Sequence, residues 1–334
     1  MTGANPHPFN FSDGVAVVLI NLGTPDAPEP RAVRRYLAEF LTDPRVIEIP
    51  ALLWRPVLSG FVLRTRPRKS AQAYREVWTE QGSPLFAITQ RQAAALRERL
   101  SEVPVGVAMR YGNPGIAEVI DRLVAEGFTR ILAAPLYPQY CAATTASAQD
   151  ALFAAAADLR WQPALRTLPP YFNDPLYIAA LRANLSRQIG ALEFEPDRLL
   201  LSFHGMPERT RALGDPYHDQ CQETARLLGE ALRRPVDVAF QSRFGRAKWL
   251  EPATEATLAA YAGQGVKRIA VAAPGFSADC LETLEELGIR GRETFLGAGG
   301  EHFALLDCLN DSPEGMSMLE QLIRRELAGW WPRG

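Results

Sequence analysis

Among the side chains that could do chemistry in this sequence, His204 stands in the most suggestive place. It lies in Leu199–Pro207, LLLSFHGMP, where an apolar run passes into Ser202-Phe203-His204-Gly205. The run has the length of a buried parallel strand, and the glycine after His204 lets the backbone turn sharply. A histidine at the carboxyl end of such a strand points into the crevice where open α/β sheets bind ligands. The chain has four histidines, His7, His204, His218 and His302. The other reading of His204 is a turn residue bonded to a backbone carbonyl.

Its acidic counterpart is Ser277–Leu287, SADCLETLEEL, which follows the apolar run Ile269–Pro274. Leu281, Leu284 and Leu287 supply an apolar helical face. Asp279, Glu282 and Glu286 fall at i, i+3 and i+7, which aligns them on another face. Asp279 and Glu282 also have the spacing of a capping box, so a structural role competes with a chemical one. An imidazole facing a carboxylate suits a divalent transition metal held in passing. It equally suits a base with a proton acceptor.

The elements that must bring these groups together repeat. VVLINLGTP (Val17–Pro25) parallels LLLSFHGMP. VGVAMR (Val105–Arg110) parallels VDVAFQSR (Val236–Arg243). EGFTRILAAP (Glu126–Pro135) parallels QGVKRIAVAAP (Gln264–Pro274). A further strand is expected at Ala164–Leu168, and helices at Arg31–Leu41, Ile116–Glu126, Ala142–Ala157 and Tyr177–Ile189. Strands alternating with helices predict an α/β fold of two similar Rossmann-like units, each a four-stranded parallel sheet flanked by helices, with a cleft between them. The units are expected at 1–170 and 171–311, with a last helix within 312–334 packing back on the first, aided by Trp330 and Trp331. In the strand order 2-1-3-4, the ends of the first and third strands flank the switch point. His204 and Glu282 would then share one crevice, although 78 positions separate them in the chain.

Composition narrows the function. The chain has 334 residues, 47% hydrophobic and 22% charged, with a net charge of −2, so no nucleic-acid partner is expected. No apolar run approaches the ~20 residues needed to span a bilayer. The first residues lack a positive and then apolar leader, so a cytoplasmic location is expected. Cys141, Cys221, Cys280 and Cys308 are widely spaced, which fits reduced thiols. No G-x-G-x-x-G follows the first strand of either unit and no phosphate loop occurs, which argues against a nucleotide enzyme. Ile49–Leu63 is unusually apolar, and Arg64, Arg66, Arg68 and Lys69 follow it. It reads either as a core helix or as an exposed amphipathic lip that touches a membrane surface or a greasy substrate. Pro50, Pro56 and Gly60 make a long regular core helix awkward.

From Val15 to Asn310 the sequence resembles the ferrochelatases, which insert ferrous iron into a porphyrin. The resemblance rests on separated motifs in order: INLGTP, Met109-Arg110-Tyr111, YPQY at Tyr137–Tyr140, SFHG at Ser202–Gly205, GDPY at Gly214–Tyr217, QSRFG at Gln241–Gly245 and FSADCLETLEEL at Phe276–Leu287. It implies that His204 and Glu282 are the catalytic and iron-binding residues, with Asp279 and Glu286 as supporting acids. It implies a porphyrin pocket formed by Leu22, Tyr74, Arg110, Tyr111, Tyr137, Trp249 and Phe276, with 49–69 as the active-site lip. Some members carry histidine where this chain has Cys280, which leaves Glu282 as the single member of that pair here. Some relatives hold a [2Fe–2S] cluster through cysteines in a C-terminal extension. No cysteine follows Cys308 here, so no cluster is expected and no cofactor is expected to be permanently bound. Porphyrin and Fe2+ are the expected partners, with transient membrane contact through the lip. The rival functions are a non-catalytic tetrapyrrole or metal carrier, and a chelatase for another divalent metal.

Overall fold

The structure, a computed structural model, describes residues 14–331 apart from 244 and 246. His7, the leader reading of the first residues, Phe244 of the QSRFG motif and positions 332–334 lie outside the described residues.

Eight strands form two parallel sheets. The first comprises β1 (Gly14–Gly23), β2 (Val105–Tyr111), β3 (Phe128–Pro135) and β4 (Ala164–Thr167), in the order β2-β1-β3-β4. The second comprises β5 (Arg198–His204), β6 (Asp237–Gln241), β7 (Arg268–Ala272) and β8 (His302–Leu305), in the order β6-β5-β7-β8. Both orders are 2-1-3-4, so the repeat seen in the sequence is a repeat of topology. β8 is the one strand the sequence reading did not locate. It has four residues, none of them fully buried.

The central strands are buried on both faces, as parallel strands are when helices cover each side. Ala16 to Leu19 of β1 are wholly inaccessible, as are Leu200, Leu201 and Phe203 of β5. At the end of each first strand stands a glycine that no other residue can replace without moving backbone. A Cβ on Gly23 would lie 1.8 Å from the Tyr111 carbonyl oxygen, and one on Gly205 would lie 2.4 Å from that of Gln241. Gly23 also has φ +113°, in the region glycine favours.

The two units share one core. Val17, Leu19 and Leu132 of the first sheet belong to the same apolar cluster as Leu199, Leu201 and Phe203 of the second. Leu319, Leu322 and Ile323 of the last helix, Pro313–Leu327, join it. That helix lies against the helices Pro84–Leu100 and Pro175–Gly190 and against β3. Polar joints tie the two units together. Ser277 donates to the Leu136 carbonyl (2.7 Å) and shares a bond with the Tyr171 hydroxyl (3.0 Å). Gln92 donates to the Ser277 carbonyl. Two sequence motifs also meet here, since the Asp215 carboxylate of GDPY accepts from the Ala142 N–H and Tyr140 of YPQY donates to Gln220.

The stretch after Ile49 is not a buried core helix. It is helical over Ala51–Val57, passes through a π-turn at Leu58–Val62, and continues as Leu63–Val77. Leu58, Val62 and Leu63 face inward, whereas Leu52 (90% exposed), Leu53, Val57 and Phe61 face outward. The π-turn at Gly60 shows how the helix absorbs the proline-glycine pattern.

Candidate active site

His204 ends β5 and lies opposite Gln241 of β6 in the register. Its Nδ1 lies 2.7 Å from the Gly205 carbonyl oxygen. A carbonyl only accepts, so Nδ1 carries a proton, and in the neutral ring the lone pair would lie on Nε2. That tautomer serves a base and a metal ligand equally. Trp249 is beside it: it bridges to Pro207, and its ring lies 3.5 Å from where a Gly205 Cβ would stand.

Glu282 begins a π-helix, Glu282–Gly291, not the α-helix that the leucine spacing predicts. π-helices of more than one turn are uncommon and occur at functional sites. The pairing of Glu285 with Arg290 (2.8 Å), five residues on, reflects the wider turn. Gly288 and Gly291 let this wide helix approach Leu305 and Leu258 closely.

The change of helix separates the three acids that the sequence aligned. Asp279 precedes the helix and is buried. Its carboxylate accepts from Thr283 Oγ1 (2.8 Å), Asn310 Nδ2 (2.6 Å) and the Cys308 N–H (3.3 Å). Thr283 in turn accepts from the Cys280 N–H (3.0 Å). Asp279 and Thr283 thus bond through their side chains, and the capping box expected of Asp279 and Glu282 does not form, since the N-cap position is Leu281, which makes no side-chain cap. Glu286 is held by both oxygens, from the Ser242 N–H (2.8 Å) and Ser242 Oγ (2.5 Å).

His204 and Glu282 are joined through one residue. Gln241, opposite His204, donates from Nε2 to the Glu282 carbonyl oxygen (2.8 Å). The first unit supplies the facing wall. Tyr74, on the helix that extends the lip, packs with Val33 and Ala71 and touches Leu281, the neighbour of Glu282. Leu22, at the end of β1, and Phe276 meet over Cys280 together with Leu85 and Ile88. Burial raises the Tyr74 pKa far above its ordinary value, and the Glu282 charge raises it further.

Arg110 and Tyr111, at the end of β2, belong to a network absent from the sequence reading. Asp43 Oδ2 accepts from Arg110 Nη2 (2.5 Å), Tyr111 Oη (2.7 Å) and Ser147 Oγ (2.5 Å), while Arg110 Nε donates to the Ser147 carbonyl (2.9 Å). Burial pushes the Asp43 carboxyl up, but the Ser147 and Tyr111 bonds, the Arg45 N–H and the Arg110 charge together hold it below its usual value. The buried Tyr137 hydroxyl finds no hydrogen-bond partner among the described residues.

Tyr36 lies on the helix Pro30–Phe40 and is buried. Burial raises its pKa most, and Tyr74, Glu282, Tyr111 and Tyr137 each raise it further, so it sits amid the residues of the site. Its ring stacks on Phe40, which meets Tyr111 edge-on. Nothing in the sequence separates Tyr36 from Leu37 or Phe40, because a core aromatic and a pocket aromatic have the same periodicity. Among the described residues, no cluster of three or more His, Cys, Asp or Glu is placed to hold a metal ion, and the four cysteines are all buried and free.

Comparison with known proteins bears on the fold and the family. Two solved structures share the fold over almost the whole chain. Bacillus subtilis SirB with Fe3+ has a TM-score of 0.58 at 13% identity and covers 95% of this chain and 96% of its own. CbiX, described as the terminal enzyme for biosynthesis of siroheme in denitrifying bacteria, has a TM-score of 0.52 at 16% identity over 93% of this chain and 98% of its own. At higher similarity, the ferrochelatase of Rhizobium meliloti strain 1021 is 51% identical over 338 residues, covering 99% of this chain and all of that protein. That of Methylibium petroleiphilum is 53% identical over 97% of this chain and 91% of its own. The ferrochelatase family model matches residues 14–327. With a strand-end histidine and a π-helix glutamate joined across one sheet, and relatives of this identity over nearly its full length, the chain belongs to the ferrochelatase family.

Proposed function

We propose that this chain inserts Fe2+ into protoporphyrin IX, with release of the two inner N–H protons, in heme biosynthesis. The observation that carries the reading is the joining of His204 and Glu282 through Gln241 at the carboxyl end of the second sheet. Iron cannot enter a planar ring that still holds both protons. Tyr36 and Tyr74, each 7% exposed, and the half-buried Trp249 offer flat contact area to the faces of the macrocycle, whereas Tyr111 is wholly buried. Binding energy from those faces offsets the cost of bending the ring until a nitrogen lone pair points outward. His204, through Nε2, accepts a pyrrole proton or binds the incoming iron. Glu282, free of capping, holds the metal or carries protons away, while Asp279 and Glu286 support it by fixing the ends of its turn.

Arg110 is already neutralised by Asp43. The porphyrin carboxylates therefore meet cations at the mouth of the cleft, where Arg64, Arg68 and Lys69 are exposed. The outward Leu52, Leu53 and Phe61 favour protoporphyrin IX, with two carboxylates, over coproporphyrin III, with four. The same lip would rest transiently on a membrane surface. Among the described residues no helix is long and apolar enough to cross a membrane. We take the protein to be a peripheral, cytoplasmic enzyme with no permanently bound cofactor. Anaerobic incubation with Fe2+ and each porphyrin, followed by the heme spectrum, tests this. Turnover with protoporphyrin IX at the higher kcat/KM is expected. Stoichiometric ligand retention without turnover would make the protein a carrier instead.

A further inference from the structure

We propose that Gln241 and Ser242 form a clasp that sets the position of Glu282 relative to His204, with Gln241 the positioning residue for iron insertion. The proposal rests on the ferrochelatase reading above. Both residues stand at the end of β6, and each holds one place on the π-helix. Gln241 is 3% exposed and is bonded on every side. Its carbonyl accepts from the Gly205 N–H (2.7 Å), which fixes the turn that carries His204. Its side-chain Nε2 donates to the Glu282 carbonyl (2.8 Å), and its Oε1 accepts from Ser202 Oγ (2.8 Å).

The direction of this chain of bonds is forced. The Glu282 carbonyl only accepts, so Nε2 must face it and Oε1 must face Ser202. Ser202 then spends its one proton on Gln241, and Thr254, 2.8 Å from the same hydroxyl, must be the donor to it. Thr254, Ser202, Gln241 and Glu282 thus form one polarised line, its three polar side chains buried. Ser242 supplies the second hold. It takes φ +63°, and both its N–H and its hydroxyl bind the Glu286 carboxylate, four residues along the helix from Glu282. Glu286 therefore anchors the helix, and Glu282 stands four residues before it. With the helix pinned at two places to the strand opposite His204, the imidazole and the Glu282 carboxylate share one rigid reference. A misplacement of about 1 Å between groups that act together can cost on the order of 10²-fold in rate.

The test is steady-state iron insertion by Gln241→Leu, Ser202→Ala and Ser242→Gly beside the unaltered protein, with porphyrin binding followed by fluorescence. Ser242→Gly keeps the N–H and tolerates the positive φ while losing the hydroxyl. Gln241→Leu is expected to lower kcat about 10-fold or more while the porphyrin KM and binding stay within about twofold, because a misplaced Glu282 weakens the transition state alone. Ser202→Ala and Ser242→Gly are expected to lower kcat about threefold or more in the same pattern. A folded Gln241→Leu with unaltered kcat would overturn the proposal. So would a loss confined to KM, or one matched by weaker porphyrin binding. Should Gln241→Leu fail to fold, Ser202→Ala decides: unaltered kcat there overturns the clasp. An unaltered protein that inserts no iron overturns the ferrochelatase reading itself, a result distinct from active protein with indifferent variants.

Discussion

Asp43→Ala should be among the most damaging single changes outside the residues that face Glu282. The Asp43 side chain is 3% exposed and that of Arg110 is 18% exposed, so the pair is largely out of water. One carboxylate oxygen serves three donors, one of them charged. Alanine leaves the guanidinium without its counter-charge and two hydroxyls without their acceptor. Breaking a buried pair from one side costs about 3–5 kcal/mol, because the partner charge stays buried and uncompensated. An exposed pair would cost ~1 kcal/mol or less. Urea unfolding followed by circular dichroism measures the loss. A change under about 1 kcal/mol would refute the burial argument. A double cycle with Arg110→Met gives a second check, since removing both charges should cost less than the sum of the single losses. Acidity provides a third. The folded-state pKa of Asp43 is depressed. Its contribution is therefore complete above the unfolded value near ~3.9 and is lost as pH falls below that toward the folded value. Asp43→Asn should accordingly flatten the acid limb of a stability profile below about pH 4, and an unchanged limb would count against the depressed pKa.

Other changes separate chemistry from architecture. His204→Ala should reduce iron insertion by ~10² or more with little effect on Tm, and near-normal turnover would remove His204 from the reaction. Glu282→Gln should be inactive yet as stable as the unaltered protein, because Asp279, Thr283 and Asn310 bond one another ahead of the helix without it; a large drop in Tm would show that Glu282 holds the helix. Gly205→Ala should destabilise by about 1–3 kcal/mol and also slow insertion. Its Cβ would lie 2.4 Å from a backbone oxygen, which yields only if β5 and β6 part. Unaltered urea midpoint and turnover in that variant would contradict this. Leu52→Glu with Leu53→Glu should abolish co-sedimentation with anionic vesicles while leaving the fold intact, and undiminished sedimentation would place membrane contact elsewhere.

Much of this was legible in the chain itself. Apolar runs of strand length recur in the same order, and each first run ends in a glycine. Parallel strands buried on both faces leave just that pattern, so two like sheets followed from composition and spacing. His204 could be placed at a strand end because the run before it is unbroken and the turn after it needs glycine. The short β8, with its half-exposed residues, had no such signal. The lip remained ambiguous because an apolar segment looks alike whether it faces a core or a cleft. Tyr36 was hidden for the same reason.

What only the tertiary structure decided was which polar groups meet. Local sequence specifies a helix after Asp279, but the helix that forms is a π-helix, whose Gly288 and Gly291 lie close against Leu305 and Leu258. That choice removes Asp279 from the line of acids and pairs it with Thr283. Asp43, Arg110 and Ser147 come from three separate segments, as do Gln241, His204 and Glu282. Hydrogen bonds between such segments leave no period or spacing in the chain. The sequence by itself determined the repeated frame and the strand-end histidine, since those rest on local burial and turn chemistry. The fold decided the partners, since a polar side chain is satisfied by whatever the packing brings within ~3 Å of it.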